Sequence, residues 1–154
     1  MANARTNAAW RVLVVDDDAE LRAALRALLE VWGMEVVEAA DGARAIEIAR
    51  AERPDAIILD LLLPGALDGF AAATRIRSIP GYRPRIVALT GYLGVEDRAR
   101  DAGCDDCLLK PAEPEALRPL LEPPRKGPKR VERARRPHRS ASPDPASRTP
   151  TRRR

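Results

Sequence analysis

The apolar positions of this chain alternate between two rhythms. Val12-Leu13-Val14-Val15 is continuously apolar and mostly β-branched, which predicts a strand over Arg11 to Val15 buried on both faces. Leu21, Leu25, Leu28 and Leu29 then recur at helical spacing through to Trp32, and Gly33 stops the helix. MEVVEA predicts a second short strand, and ARAIEIARAER, after an Asp41-Gly42 turn, a second amphipathic helix. Asp55 to Asp60 predicts a third strand, followed by the loop LLLPGALDG and the helix FAAATRIRSI. Arg85 to Leu89, ending at Thr90, predicts a fourth strand, and VEDRARDAG a short helix. Asp106 to Leu109 predicts a fifth strand ending at Lys110, and EPEALRPLLE a last helix. Strands and helices in strict alternation, joined by short connections, predict an α/β fold: a doubly wound, five-stranded parallel sheet with helices on both faces.

Charge divides the chain where this pattern ends. Residues 1–122 carry 15 Lys and Arg against 21 Asp and Glu, a net of −6, whereas residues 123–154 carry 12 against 2, a net of +10. The basic segment also holds seven of the fourteen prolines, and its apolar residues are Val131 and three alanines. It cannot bury enough surface to offset its ordering entropy. Residues 123–154 therefore read as a disordered basic tail and 1–9 as a flexible N-terminus, leaving 10–122 as the folded unit. Arginines of the tail are expected to approach Asp16 to Asp18 and Asp105-Asp106 transiently. No stretch approaches the ~20 apolar residues of a membrane span, and MANARTNAAW lacks the apolar centre of a secretory signal. A cytoplasmic location with no membrane association is the expectation.

The chemistry lies at the strand ends. The first strand runs into Asp16, Asp17 and Asp18, three carboxylates whose mutual repulsion must be relieved by protons or a cation. Asp18 is placed to cap the following helix, but one cap does not need three acids. The third, fourth and fifth strands end at Asp60, Thr90 and Lys110, and a doubly wound sheet brings such ends to one edge. A carboxylate cluster with room for water suits Mg²⁺. Thr90 and Lys110 suit phosphoryl oxygens, as hydrogen-bond donor and point charge, and a carboxylate beside such a metal can itself accept phosphate.

VVDDD, ILDLLLPG with DGF, ALTG and LLKP, in this order and spacing, resemble the receiver domain of two-component response regulators over residues 10 to 122. The resemblance implies a flavodoxin-like strand order of 2-1-3-4-5. It implies that Asp60 accepts a phosphoryl group from a histidine kinase or phosphotransfer protein. Asp17 would bind Mg²⁺ directly and Asp16 mainly through water, with the Leu62 backbone carbonyl completing the site. Thr90 and Lys110 match the family's switch hydroxyl and phosphate-binding lysine, and Lys110-Pro111 its usual cis peptide. Leu62 and Tyr92 occupy positions that flank the phosphoryl group in the family. The chain departs from the pattern in three places. The loop after Asp60 is one residue longer, the Thr90 to Lys110 segment is about two residues shorter, and the position three before the lysine, usually aromatic, is Cys107.

Other readings give less. Asp41, Asp68 and Asp101 read as caps and turns. Cys104-Asp-Asp-Cys107 enters a strand rather than opening a helix, unlike a thioredoxin pair. Zinc there would need two more ligands, and the only histidine is His138. A haloacid-dehalogenase-like phosphohydrolase would carry its nucleophile after the first strand and need a cap, which no insert here supplies. A receiver that binds partners without turning over phosphate is the other rival. The expectation is a stand-alone signalling module, not a dedicated enzyme, acting on an unknown downstream protein through the surface of the fourth helix, fifth strand and fifth helix. The basic segment has no aromatic residue to stack on bases, and no helix-turn-helix pattern follows the receiver. No specific DNA binding is therefore expected, only nonspecific contact of the tail with nucleic acid.

Overall fold

Short apolar runs become strands here, and the central three of the sheet are buried on both faces. β1 (Arg11–Val15), β2 (Glu35–Ala39), β3 (Ala56–Asp60), β4 (Arg85–Thr90) and β5 (Asp106–Leu109) pair in parallel, in the order β2-β1-β3-β4-β5. The connections are α1 (Ala19–Val31), α2 (Gly42–Glu52), α3 (Gly69–Arg77) and α4 (Glu96–Ala102), and α5 (Pro114–Leu121) follows β5. This is the doubly wound, flavodoxin-like sheet predicted, with element ends shifted by one or two residues. The computed structural model describes residues 9–123. The expectations of a flexible segment 1–9 and a disordered tail 123–154 fall, apart from residues 9 and 123, outside the described residues.

Side chains alternate across the sheet with period two. Leu13, Val15, Ile57, Leu59, Ile86 and Ala88 point to one layer, where Ile46, Ala49, Phe70, Ile76 and Ala99 from α2, α3 and α4 cover them. Val12, Val14, Ile58, Val87 and Leu89 point to the other, against Leu25 and Leu29 of α1 and Leu117 and Leu121 of α5. The capping expectations hold for three aspartates: Asp18 accepts from the Glu20 and Leu21 amides, Asp41 from Arg44 and Asp68 from Ala71. Asp101 does not fit its expectation. It lies within α4, in the last turn, and Gly103 (φ 108°) ends that helix instead.

The edge formed by the amino ends of β4 and β5 is bolted by one side chain. Arg77, the last residue of α3, donates to the Gly103 carbonyl (2.7 Å), the Pro84 carbonyl (2.6 Å) and the Asp105 carboxylate (2.7 Å). Within the domain Asp105 pairs with Arg77 and Asp106 with Arg85. At the opposite edge the guanidinium of Arg98 lies 3.9 Å from the centroid of the Phe70 ring, a cation–π contact joining α4 to α3. Among the described residues no helix is long and apolar enough to cross a membrane.

Candidate functional site

Parallel pairing places every strand's carboxyl end on the same edge. Asp60 stands opposite Leu89, and Thr90 opposite Leu109. Asp16 follows β1 directly, and its amide donates to the Ala39 carbonyl at the end of β2. Carboxylate oxygens of Asp16, Asp17 and Asp60 come within 4.8 Å of one another. Asp16, Asp60 and Thr90 are the buried polar residues of the domain, 2%, 5% and 3% exposed, whereas Asp17 faces solvent.

Among the described residues Lys110 supplies the cation paired with these carboxylates. Lys110 Nζ lies 2.7 Å from Asp16 Oδ2 and 3.4 Å from Asp60 Oδ2. The second oxygen of Asp16 accepts from the Asp18 amide (2.9 Å), and that of Asp60 from the Leu62 amide (3.0 Å). Burial pushes the Asp60 carboxyl above its ordinary pKa, and the Asp16 charge adds to this. The Leu62 amide and the Lys110 ammonium oppose the shift without cancelling it. For Lys110, burial favours the neutral amine, but the hydrogen bond and charge of Asp16, together with Asp60, outweigh it and raise the pKa. Thr90 Oγ1 accepts from the Tyr92 amide (3.1 Å), which leaves its hydroxyl hydrogen to donate. Three carboxylates against one ammonium leave surplus negative charge on hard oxygen donors, a set that fits Mg²⁺.

The predicted residues Asp16, Asp17, Asp60 and Lys110 are brought together. Leu62 and Tyr92 stand in the loops that follow β3 and β4, both with exposed side chains, and Lys110-Pro111 is cis. Cys107 is half-buried on β5, and Cys104 is buried, its thiol pushed up to about 11 by burial. Neither thiol has the lowered pKa of a reactive cysteine.

Two residues of the site were not read from the sequence. Arg22 on α1 donates to the Asp16 carbonyl (2.7 Å), and nothing in the local pattern signals this. Gly69 packs against the backbone of Asp60, so tightly that a Cβ there would lie 2.1 Å from the Asp60 carbonyl oxygen. Its signal was present in Asp68-Gly69, a cap followed by a glycine where no turn demands one.

The family profile described as "Response regulator receiver domain" matches residues 12–122. The transcriptional regulatory protein PrrA of Mycobacterium tuberculosis is 44% identical over 103 residues, which cover 66% of this chain and 43% of PrrA. The receiver domain of the sensor histidine kinase PA1611 of Pseudomonas aeruginosa, solved with a magnesium ion in its active-site cleft, is 35% identical. That match covers 74% of this chain and 95% of the other, with a TM-score of 0.66. A response regulator of Burkholderia pseudomallei, solved with a phosphorylated aspartic acid, is 31% identical over 73% of this chain and 66% of the other, also with a TM-score of 0.66. The chain thus spans less than half the length of the curated relatives it matches.

PrrA corrects one expectation, that of no specific DNA binding. It is a transcriptional regulatory protein. The expectation rested on a missing helix-turn-helix pattern, and a receiver carries no signature of the output with which its relatives work. The profile match over most of the chain and the sheet-edge cluster agree, and the chain belongs to the response regulator receiver family.

Proposed function

We propose that this chain is a phosphoacceptor receiver in a two-component relay, with Asp60 taking the phosphoryl group from the phosphohistidine of a histidine kinase. The observation that carries this reading is the meeting of Lys110 Nζ with the carboxylates of Asp16 and Asp60, from two different strand ends, beside Asp17. A carboxylate oxygen of Asp60 attacks phosphorus. The new P–O bond forms as the P–N bond breaks, and the imidazole nitrogen keeps the bonding pair and takes up a proton. Lys110 and Thr90 hold the phosphoryl oxygens as charge and donor. Asp17, Asp16 through water, Asp60 and the Leu62 carbonyl would hold Mg²⁺, which would offset the negative charge shared by carboxylate and phosphate. The output is a changed surface around α4, β5 and α5. On this reading the protein is a signalling module of the cytoplasm whose only chemistry is on itself.

Incubation with a small acyl phosphate and Mg²⁺ tests the assignment. Intact-mass spectrometry is expected to show one phosphoryl group on the wild type and none on Asp60→Asn. Equal labelling of the two would refute it.

The lifetime of that phosphate is expected to be long. Leu62 and Tyr92 are bulky and uncharged, and their exposed side chains offer no group to orient an in-line water. Leu62→Asn combined with Tyr92→Glu is expected to speed phosphate loss by roughly tenfold or more. An unchanged rate in a decay assay would remove these two side chains from the account.

A further inference from the structure

The loop Leu61 to Asp68 carries the Leu62 carbonyl and supplies the amide on Asp60 Oδ1. Its base is closed by the Gly69 amide on the Leu61 carbonyl (3.1 Å), and Asp68 is fixed as the cap of α3. Between these ends Leu63 is buried in the core, and the loop also meets a second glycine. A Cβ at Gly42, the first residue of α2, would lie 2.7 Å from the Leu67 carbonyl oxygen and 3.1 Å from Leu67 Cβ. Beyond this contact the loop stands off α2 around a hollow of about 350 Å³ bordered by Ala43, Pro64, Gly65 and Ala66. The middle of the loop is therefore held against α2 at Leu67, whose side chain is also packed on the core.

We infer that Gly42 is a positioning residue for the metal site: its missing side chain lets α2 set the height of the loop that bears Leu62. This rests on the proposed role of the Leu62 carbonyl. A methyl group at position 42 would push Leu67 outward. Asp68 and Gly69 cannot follow, because Gly69 is already against the Asp60 backbone. The displacement must be taken up by residues 62 to 66, or by Asp60 itself, and either shift disturbs the oxygen set. Residues that support ligands in this way typically change metal affinity by about tenfold or more when altered.

Calorimetric titration of Mg²⁺ into the full chain decides the matter, with wild type, Gly42→Ala, Leu67→Gly and Ala45→Gly compared. Ala45 is buried in the same helix, and Ala45→Gly loosens α2 without adding a group against Leu67. Gly42→Ala is expected to bind Mg²⁺ roughly tenfold more weakly, and Leu67→Gly, which frees the loop from α2, to bind more weakly as well. Ala45→Gly is expected to bind as the wild type does. If Gly42→Ala cannot be purified folded, by circular dichroism, Leu67→Gly against Ala45→Gly carries the comparison. Unchanged affinity in Gly42→Ala and Leu67→Gly, or an equal loss in Ala45→Gly, overturns the inference. Absence of Mg²⁺ binding by the wild type, or undiminished binding by Asp17→Asn, overturns instead the reading of the site on which it depends.

Discussion

Gly69→Ala is expected to destabilise the domain by about 3 kcal/mol and to remove most phosphoryl uptake from the molecules that still fold. The added methyl would stand 2.1 Å from the Asp60 carbonyl oxygen, 2.5 Å from Leu61 Cα and 2.9 Å from the Asp60 carbonyl carbon. All three atoms are backbone, so no rotamer change relieves the clash. Either α3 backs away from the sheet, opening the layer that holds Phe70, Ala72, Ala73 and Ile76, or β3 bends at its last residue. The first course costs packing; the second rotates the Asp60 carboxylate away from Lys110. Urea unfolding and acyl-phosphate labelling measure the two losses separately. A variant as stable as the wild type would show that β3 yields freely, and would overturn the account of Gly69.

Lys110→Ala is expected to cost about 2 kcal/mol at neutral pH, less than removing one partner of a fully buried ion pair because Lys110 is part-exposed, and it leaves the carboxylates of Asp16 and Asp60 without their cation. Asp60→Asn is expected to act in the opposite direction, stabilising the metal-free domain by about 1 kcal/mol. Its sign follows from proton linkage. The folded state raises the Asp60 pKa, so it binds this proton more tightly than the unfolded chain does. The stability this proton contributes is present below the ordinary carboxylate range and is lost as pH rises through the raised value. At neutral pH the ionised carboxylate is thus a liability that asparagine removes. Both differences from wild type are expected to shrink in acid, where the carboxylates are protonated in every variant. Urea unfolding at neutral and acid pH measures them, and a stability gap for Asp60→Asn that widens in acid would reverse the account.

Much of this was legible because the fold is built from short-range rules. A strand buried on both faces must read as an unbroken apolar run, as Ala56 to Leu59 does, and the first polar residue after it marks the sheet edge. Asp60, Thr90 and Lys110 are each such a residue, so the site could be assembled once the strands were known to be parallel. What stayed hidden depends on contacts between distant segments. Nothing near Gly42 announces Leu67, and nothing near Arg77 announces the carbonyls of Pro84 and Gly103. Asp101 was misread because acidic residues favour helix starts and turns, whereas its helix continues past it to a glycine. The expectation about DNA was overturned by the relatives' role as transcriptional regulatory proteins, on which no residue pattern of the receiver bears.

The three bonds of Arg77 have a mechanical consequence. They grip the carbonyl at the C-terminal end of α4, the approach to β4 and the turn before β5. At the other end of α4 the N-cap Val95 makes no side-chain capping bond but packs against the core, and Arg98 stacks on Phe70. A helix fastened this way is expected to pivot about its C-terminal end rather than slide. Amide hydrogen exchange is therefore expected to be faster near Val95 than near Gly103, where Arg77 holds the end of the helix.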